Sequence, residues 1–350
     1  MSDPIRVPGL PDLAPLPVPA PPPRPSALKR VFVGPRGTRA GWKVLLFFLI
    51  FAGLSFCVAQ ADKLMPKVDM RRPIPAGFAF VHEFLSMLAV LAATFIMARF
   101  IDRKPWGYFG MPLRNAFRSS FWVGAAVGLG ALSLQLEIMH LNGWFEFGTL
   151  QLHGFAMVKY GALWALMFLW VGFTEEGILR GYVQRVTTDG FSRLPGGWSF
   201  WTSALLFSIV FGAGHISNPG ENKFGIVMVF ADGLTMCFSL WRTGDLWWAI
   251  GNHAAWDWGE TFLFGTPNSG MHGAHALMSP AFHGPLLWAG GTDGPEGSVL
   301  ALLSELVFFV SVALIYRRRR YPLLRDAGPA DRAGQVELGA RPIDGSSPAA

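Results

Sequence analysis

The chain has 350 residues, 51% of them hydrophobic and only 15% charged, with a net charge of +6. A soluble domain carries about 25% charged residues, so this balance excludes an ordinary soluble domain and points to a multi-pass membrane protein. The cations sit beside apolar runs, which assigns them to an anionic membrane face and to topology, with no nucleic-acid partner.

Residues 1–42 are Pro-rich and lack apolar periodicity, which reads as a disordered cytoplasmic tail without the apolar core of a cleaved signal peptide. Six cations and no acid lie between Arg24 and Lys43, just before an apolar run. The positive-inside rule then keeps the N-terminus in the cytoplasm. Spans are expected at about 44–61, 76–101 and 119–136, with a basic cytoplasmic loop (Arg103, Lys104, Arg114, Arg118) between the second and third. The basic loop between spans one and two (Lys63, Lys67, Arg71, Arg72) falls on the expected outer side, against the charge rule. The segment from Glu137 to His153 has two Glu and no Lys or Arg, which suits the outer face. A long fourth span runs from about 156 to 186. Spans five to seven are expected at about 197–215, 224–241 and 246–264. Residues 265–297, rich in Gly, Pro and His, are expected as an outer loop, partly re-entrant. An eighth span at about 298–316 ends in the stop-transfer cluster Arg317 to Arg320. The expected fold is therefore all-α: a polytopic bundle of about eight helices over residues 43–316, each near the ~20 residues a membrane crossing needs. A basic, then polar, cytoplasmic tail (317–350) completes the chain. Cys57 and Cys237 lie inside apolar runs and read as free thiols.

Three of these spans carry polar residues that are costly in hydrocarbon and so mark function. Span four reads Phe173-Thr-Glu-Glu-Gly-Ile-Leu-Arg-Gly181, span five ends in Phe211-Gly-Ala-Gly-His215, and span seven holds Asn252-His-Ala-Ala-Trp-Asp257. Counted from the cytoplasmic helix ends at ~1.5 Å per residue, Glu175 lies ~17 Å deep, His215 ~27 Å and His253 ~11 Å, a spread that boundary shifts of a few residues largely cover. Glu176 and Arg180 are i and i+4 and can pair, while Glu175, rotated ~100° away, is left to face a cavity. His253 and Asp257 are also i and i+4.

The chemistry of this set is hydrolytic. Glu175 is the candidate general base that takes a proton from an attacking water, His215 orients that water, and His253 with Asp257 meets the developing oxyanion. The same atoms offer a second arrangement, in which Glu175, His215, His253 and Asp257 hold Zn²⁺ with an open position. His82-Glu83-Phe-Leu-Ser86 begins like a zinc-protease helix but lacks the second His, and is read as interfacial. Ser55 lacks a nucleophile elbow around it. His272, His275 and His283 are not read as ligands, and Asp232 and Glu260 have no assigned role.

These residues resemble the CAAX-prenyl-protease and bacteriocin-processing family of intramembrane proteases, whose motifs are Glu-Glu-x-x-x-Arg, Phe-x-x-x-His and His-x-x-x-Asn/Asp on separate helices of an eight-helix bundle. Here they are Glu175-Glu176-Gly-Ile-Leu-Arg180, Phe211-Gly-Ala-Gly-His215 and His253-Ala-Ala-Trp-Asp257, within about residues 155–260. The resemblance implies an endopeptidase acting on a peptide or membrane-anchored protein. It implies catalytic use of Glu175, Glu176, Arg180, His215, His253 and Asp257, and water activation by Glu175 with His215. No cofactor is required in that reading. Asp257 stands where the eukaryotic members have Asn, and an ionised Asp repels an oxyanion. The family also holds members acting in bacteriocin immunity or as scaffolds, which makes a non-catalytic membrane protein of the same fold the alternative. Composition places the chain in a bacterial plasma membrane with both termini cytoplasmic.

Overall fold

The computed structural model describes residues 26–69 and 72–324. The Pro-rich stretch of 1–25, Arg71 of the outer basic loop, and most of the C-terminal tail lie outside the described residues. Within the remainder of the first region, Ala27–Phe32 form a short helix (α1) capped by Ser26, and Val33–Gly34 (β1) pairs antiparallel with Gly37–Thr38 (β2).

The long helices are α2 (Ala40–Asp62), α3 (Ala76–Ile96), α4 (Ser119–Leu141), α5 (Gly154–Glu176), α7 (Trp198–Gly214) and α8 (Lys223–Thr243). Three helices end in π-helical turns: α3 through Met97–Asp102, α5 through Gly177–Val183 into α6 (Gln184–Gly190), and α9 (Trp247–Trp258) through Gly259–Phe264. A short α10 (Leu286–Ala289) precedes α11 (Ala301–Ile315). Among the described residues, six continuous helical segments are long and apolar enough to cross a membrane, so the chain is a multi-pass membrane protein. The last two expected spans are shorter: α9 with its π turn covers Trp247–Phe264, and α11 has 15 residues.

Capping accounts for both ends of α8. Asn222 caps α8 by accepting from the backbone N–H groups of Phe224 and Gly225 at 2.8 and 3.0 Å, and Gly244 ends that helix at φ +81°. Packing is set by small residues, as expected where lipid is as apolar as the helices and close backbone approach supplies the attraction. A Cβ at Gly124 or Gly128 of α4 would lie 2.1 Å from the Trp248 carbonyl oxygen or 2.5 Å from that of Asn252, so α4 and α9 touch backbone to backbone. Gly251 makes the reciprocal contact, where a Cβ would meet the Phe121 carbonyl oxygen at 2.2 Å. Helix α9 is thereby held rigidly among its neighbours.

At the expected cytoplasmic end, Lys43 Nζ lies 2.6 Å from Asp102 Oδ1 and Tyr182 donates to Asp102 Oδ2 at 2.7 Å, tying α2 and the π turn after α5 to the end of α3. At the other end, residues 265–297 fold back onto the bundle. Phe145–Glu146 (β3) pairs with Ala281–Phe282 (β4), Ile74 N–H donates to the His272 carbonyl at 2.8 Å, and Leu277 N–H to that of Phe262 at 2.7 Å.

Candidate active site

The site forms where α5 passes into its π turn against the middle of α9. A π turn widens the helix by one residue and rotates the next turn relative to the last, a device common at functional positions. Here it begins one residue after Glu176 and contains Arg180. The Arg180 Nη1 donates to Glu176 Oε1 at 3.1 Å, and both side chains are almost entirely enclosed, at 1% and 0% exposure. The guanidinium lies 4.2 Å from the centroid of the Phe211 ring, a cation–π contact that joins the α5 motif to the α7 motif.

His253 is the hub. Its Nδ1 lies 3.2 Å from Glu176 Oε1, and its Nε2 lies 3.4 Å from Asp257 Oδ2 and 3.6 Å from Glu175 Oε2. One imidazole therefore touches three carboxylates from two helices. Only one of these carboxylates is open: Glu175 is 32% exposed, against 8% for Asp257 and 0% for Glu176. His215 begins the 3₁₀ turn after α7, with Nδ1 3.0 Å from the Phe211 carbonyl oxygen and its ring edge-on to Phe211 at 4.9 Å. The carbonyl can only accept, so Nδ1 donates and Nε2 is left as the acceptor of the neutral ring.

Glu175, His215, His253 and Asp257 all line one cavity of about 730 Å³. Glu176 and Arg180 stand behind that wall. The cavity has an apolar side that includes Phe78, Trp164, Met167, Phe168 and Phe308. Groups without a role in the sequence reading also line it, among them Asp232, the His82–Glu83 pair, Asp62 and His272. His82 and Glu83, read from the sequence as interfacial, thus line the cavity. The end of α2 meets the start of α3 over the cavity, and His82 Nδ1 lies 2.8 Å from Asp62 Oδ2. The signal available in the sequence was an ionisable His-Glu pair two turns into an apolar helix. Ser269, Met271 and Glu296 show that residues 265–297 wall the cavity as well. Of the other histidines in that loop, His275 stacks on Tyr160 at 3.9 Å and His283 lies 3.3 Å from Glu146.

Two carboxyls in the loops at this end are strongly perturbed. Burial, then the nearby Asp293 charge, pushes the Glu221 carboxyl up to about 9. Burial, then Glu296, lifts Asp293 to about 7.

A Zn²⁺ held by Glu175, His215, His253 and Asp257 would need the nitrogens of His253. Nδ1 is already engaged by Glu176, which leaves Nε2, between Glu175 and Asp257, as the free nitrogen donor. Glu175 and Asp257 lie 3.6 and 3.4 Å from Nε2, and carboxylate and imidazole are donor types that zinc takes. Among the described residues, the acidic and imidazole donor atoms that all fall within 4.8 Å of one another belong to a different trio, Asp257, Glu260 and Glu296.

Residues 157–259 match the family described as Type II CAAX prenyl endopeptidase Rce1-like. No curated protein and no solved structure matches the chain. The matched segment runs from α5 to the end of α9 and so contains all three motifs and the helices that bring them together. Over that segment, carried by a polytopic helical membrane bundle, the chain is similar to the Rce1-like family of CAAX prenyl endopeptidases.

Proposed function

We propose that this protein is an intramembrane endopeptidase that hydrolyses a peptide bond in a membrane-associated protein or peptide, with Glu175 as the base. The observation that carries the reading is the contrast among the three carboxylates around His253. Glu176 and Asp257 are enclosed, while Glu175 opens into the cavity that His215 also lines. A general base must reach the proton it abstracts, and Glu175 is the member of the trio with room for a water and a substrate.

The steps balance without another reactant. Water held between Glu175 and His215 Nε2 attacks the scissile carbonyl carbon, and its proton passes to Glu175. Charge develops on the carbonyl oxygen, which His253 stabilises in its protonated form. The C–N bond then breaks and Glu175 returns the proton to the leaving amine. Asp257, 3.4 Å from His253 Nε2, serves as the counter-charge that orients this imidazole. That role removes the repulsion an ionised Asp would otherwise exert. Arg180 and Glu176 are positioning residues: the buried pair fixes the carboxylate that Nδ1 contacts. The apolar wall suits a lipid-embedded or lipid-anchored segment of the substrate. Charge distribution supports a bacterial plasma-membrane location with both termini cytoplasmic.

The test is cleavage of a peptide library by purified protein in detergent. Wild type should cut, and Glu175→Gln should not while still binding the peptides that wild type cleaves. Binding without cleavage by the wild type itself would instead favour an immunity or scaffold protein.

A further inference from the structure

Asp257 has a second neighbourhood, facing away from His253. Asp257 and Glu260 are i and i+3 on the last turn of α9 and its π turn, and Glu296 comes in from the 265–297 loop. One carboxylate oxygen from each lies within 4.8 Å of the other two. Asp257 and Glu260 are both buried, Glu260 at 0% exposure.

The hydrogen bonds around the trio run toward the carboxylates. Trp256 Nε1 donates to Glu296 Oε1 at 3.2 Å, the Ser269 backbone N–H and hydroxyl both lie 2.9 Å from Glu296 Oε2, and Asn268 Nδ2 donates to Glu260 Oε2 at 3.0 Å. The remaining oxygen, Glu260 Oε1, is buried and has no partner among the described residues. A fully enclosed carboxylate with one orphan oxygen, beside two more carboxylates and without a Lys or Arg ion pair among the described residues, lacks a positive charge. His253 compensates Asp257 from the other side only.

We infer that Asp257, Glu260 and Glu296 form a binding site for a hard divalent cation of the Ca²⁺ type, distinct from the hydrolytic centre but sharing Asp257 with it. The donor set is all oxygen, which selects Ca²⁺, Mg²⁺ or Mn²⁺ over Zn²⁺. Oxygens on opposite sides of Ca²⁺ are about 4.8 Å apart, and the three carboxylate oxygens all lie within that distance of one another. Asn268 and Ser269 stand next to the trio, and water can complete the shell. Two ligands ride on α9 and its π turn and one on the loop, so the cation would fasten residues 265–297 to the helix that carries His253. The site does not depend on the hydrolytic reading.

The experiment is a Tb³⁺ titration of the full chain in chelator-free detergent, exciting tryptophan. Trp256, bonded to Glu296, is placed to sensitise a bound ion. The expected result is saturable luminescence displaced by Ca²⁺, with Glu260→Gln weakening Tb³⁺ at least tenfold and Glu175→Gln leaving it intact. Glu146→Gln, an exposed acid elsewhere, should also leave it intact. Absence of a saturable, Ca²⁺-competed signal in the wild type overturns the site. So does a signal unchanged in Glu260→Gln, which would mean an adventitious surface ion only. If Glu260→Gln does not fold, Glu296→Gln is read by the same criteria. Hydrolysis plays no part in the readout, so loss of the proteolytic reading would leave this result standing.

Discussion

His253 Nδ1 sits 3.2 Å from Glu176 Oε1, and the same oxygen accepts from Arg180 at 3.1 Å. One carboxylate oxygen thus links the arginine behind the cavity wall to the imidazole that faces into it. Removing Arg180 leaves Glu176 buried with His253 as its remaining cationic partner. Arg180→Leu is expected to cost about 3–5 kcal/mol, the range for breaking a buried pair from one side. Thermal unfolding in detergent checks this. The double variant Arg180→Leu with Glu176→Leu should recover part of the loss, and no recovery would mean the pair is not coupled.

Glu175 carries no such structural load. Its side chain is 32% exposed in the cavity, so Glu175→Gln should unfold at the wild-type temperature while turnover falls by about 10²–10⁴, the usual worth of a general base. Equal turnover in the two proteins would remove Glu175 from the mechanism.

The contact between α4 and α9 makes a prediction about backbone packing. A Cβ at Gly124 would stand 2.1 Å from the Trp248 carbonyl oxygen, while one at Gly130 on the same helix meets nothing within 4 Å. Gly124→Val must push α9 away and should destabilise by at least about 1–3 kcal/mol. Gly130→Ala should stay within about 0.5 kcal/mol of wild type. Activity should fall in the same order, because α9 carries His253. A Gly124→Val protein with native stability and turnover would show that the two helices can separate freely.

The loop carboxyls predict how stability responds to pH. Glu221 titrates at about 9 in the folded chain, against 4.5 for the free side chain. Between those values the folded chain keeps a proton that the unfolded chain has released. The contribution of Glu221 to stability is therefore full below the free value of 4.5 and is lost as pH rises toward about 9. Glu221→Gln removes the ionisation and should flatten the alkaline decline in unfolding temperature. A decline of the same size in both proteins would assign it to another group.

Sequence alone was enough for the membrane class, the helix positions through α9, and the three motifs. Each is a local property: the length of an uninterrupted apolar run, a charge beside it, a spacing of four residues on a helix. It also separated the Glu176–Arg180 pair from Glu175, because neighbouring residues on a helix must face different ways. Only the tertiary structure decided which groups meet. That His253 contacts three carboxylates, that Asp62, His82 and Glu83 share the cavity, and that residues 265–297 wall it all depend on how far apart the helices stand and how they are rotated. Those quantities are set by Gly124, Gly128 and Gly251 at a backbone contact and by π turns after α3, α5 and α9. Gly124 and Gly128 are i and i+4 on α4, and their partner on α9 is visible only in the packed chain. A π turn shifts helix facing by one residue without a compositional mark, so the convergence of Asp257, Glu260 and Glu296 could emerge only from the packed chain.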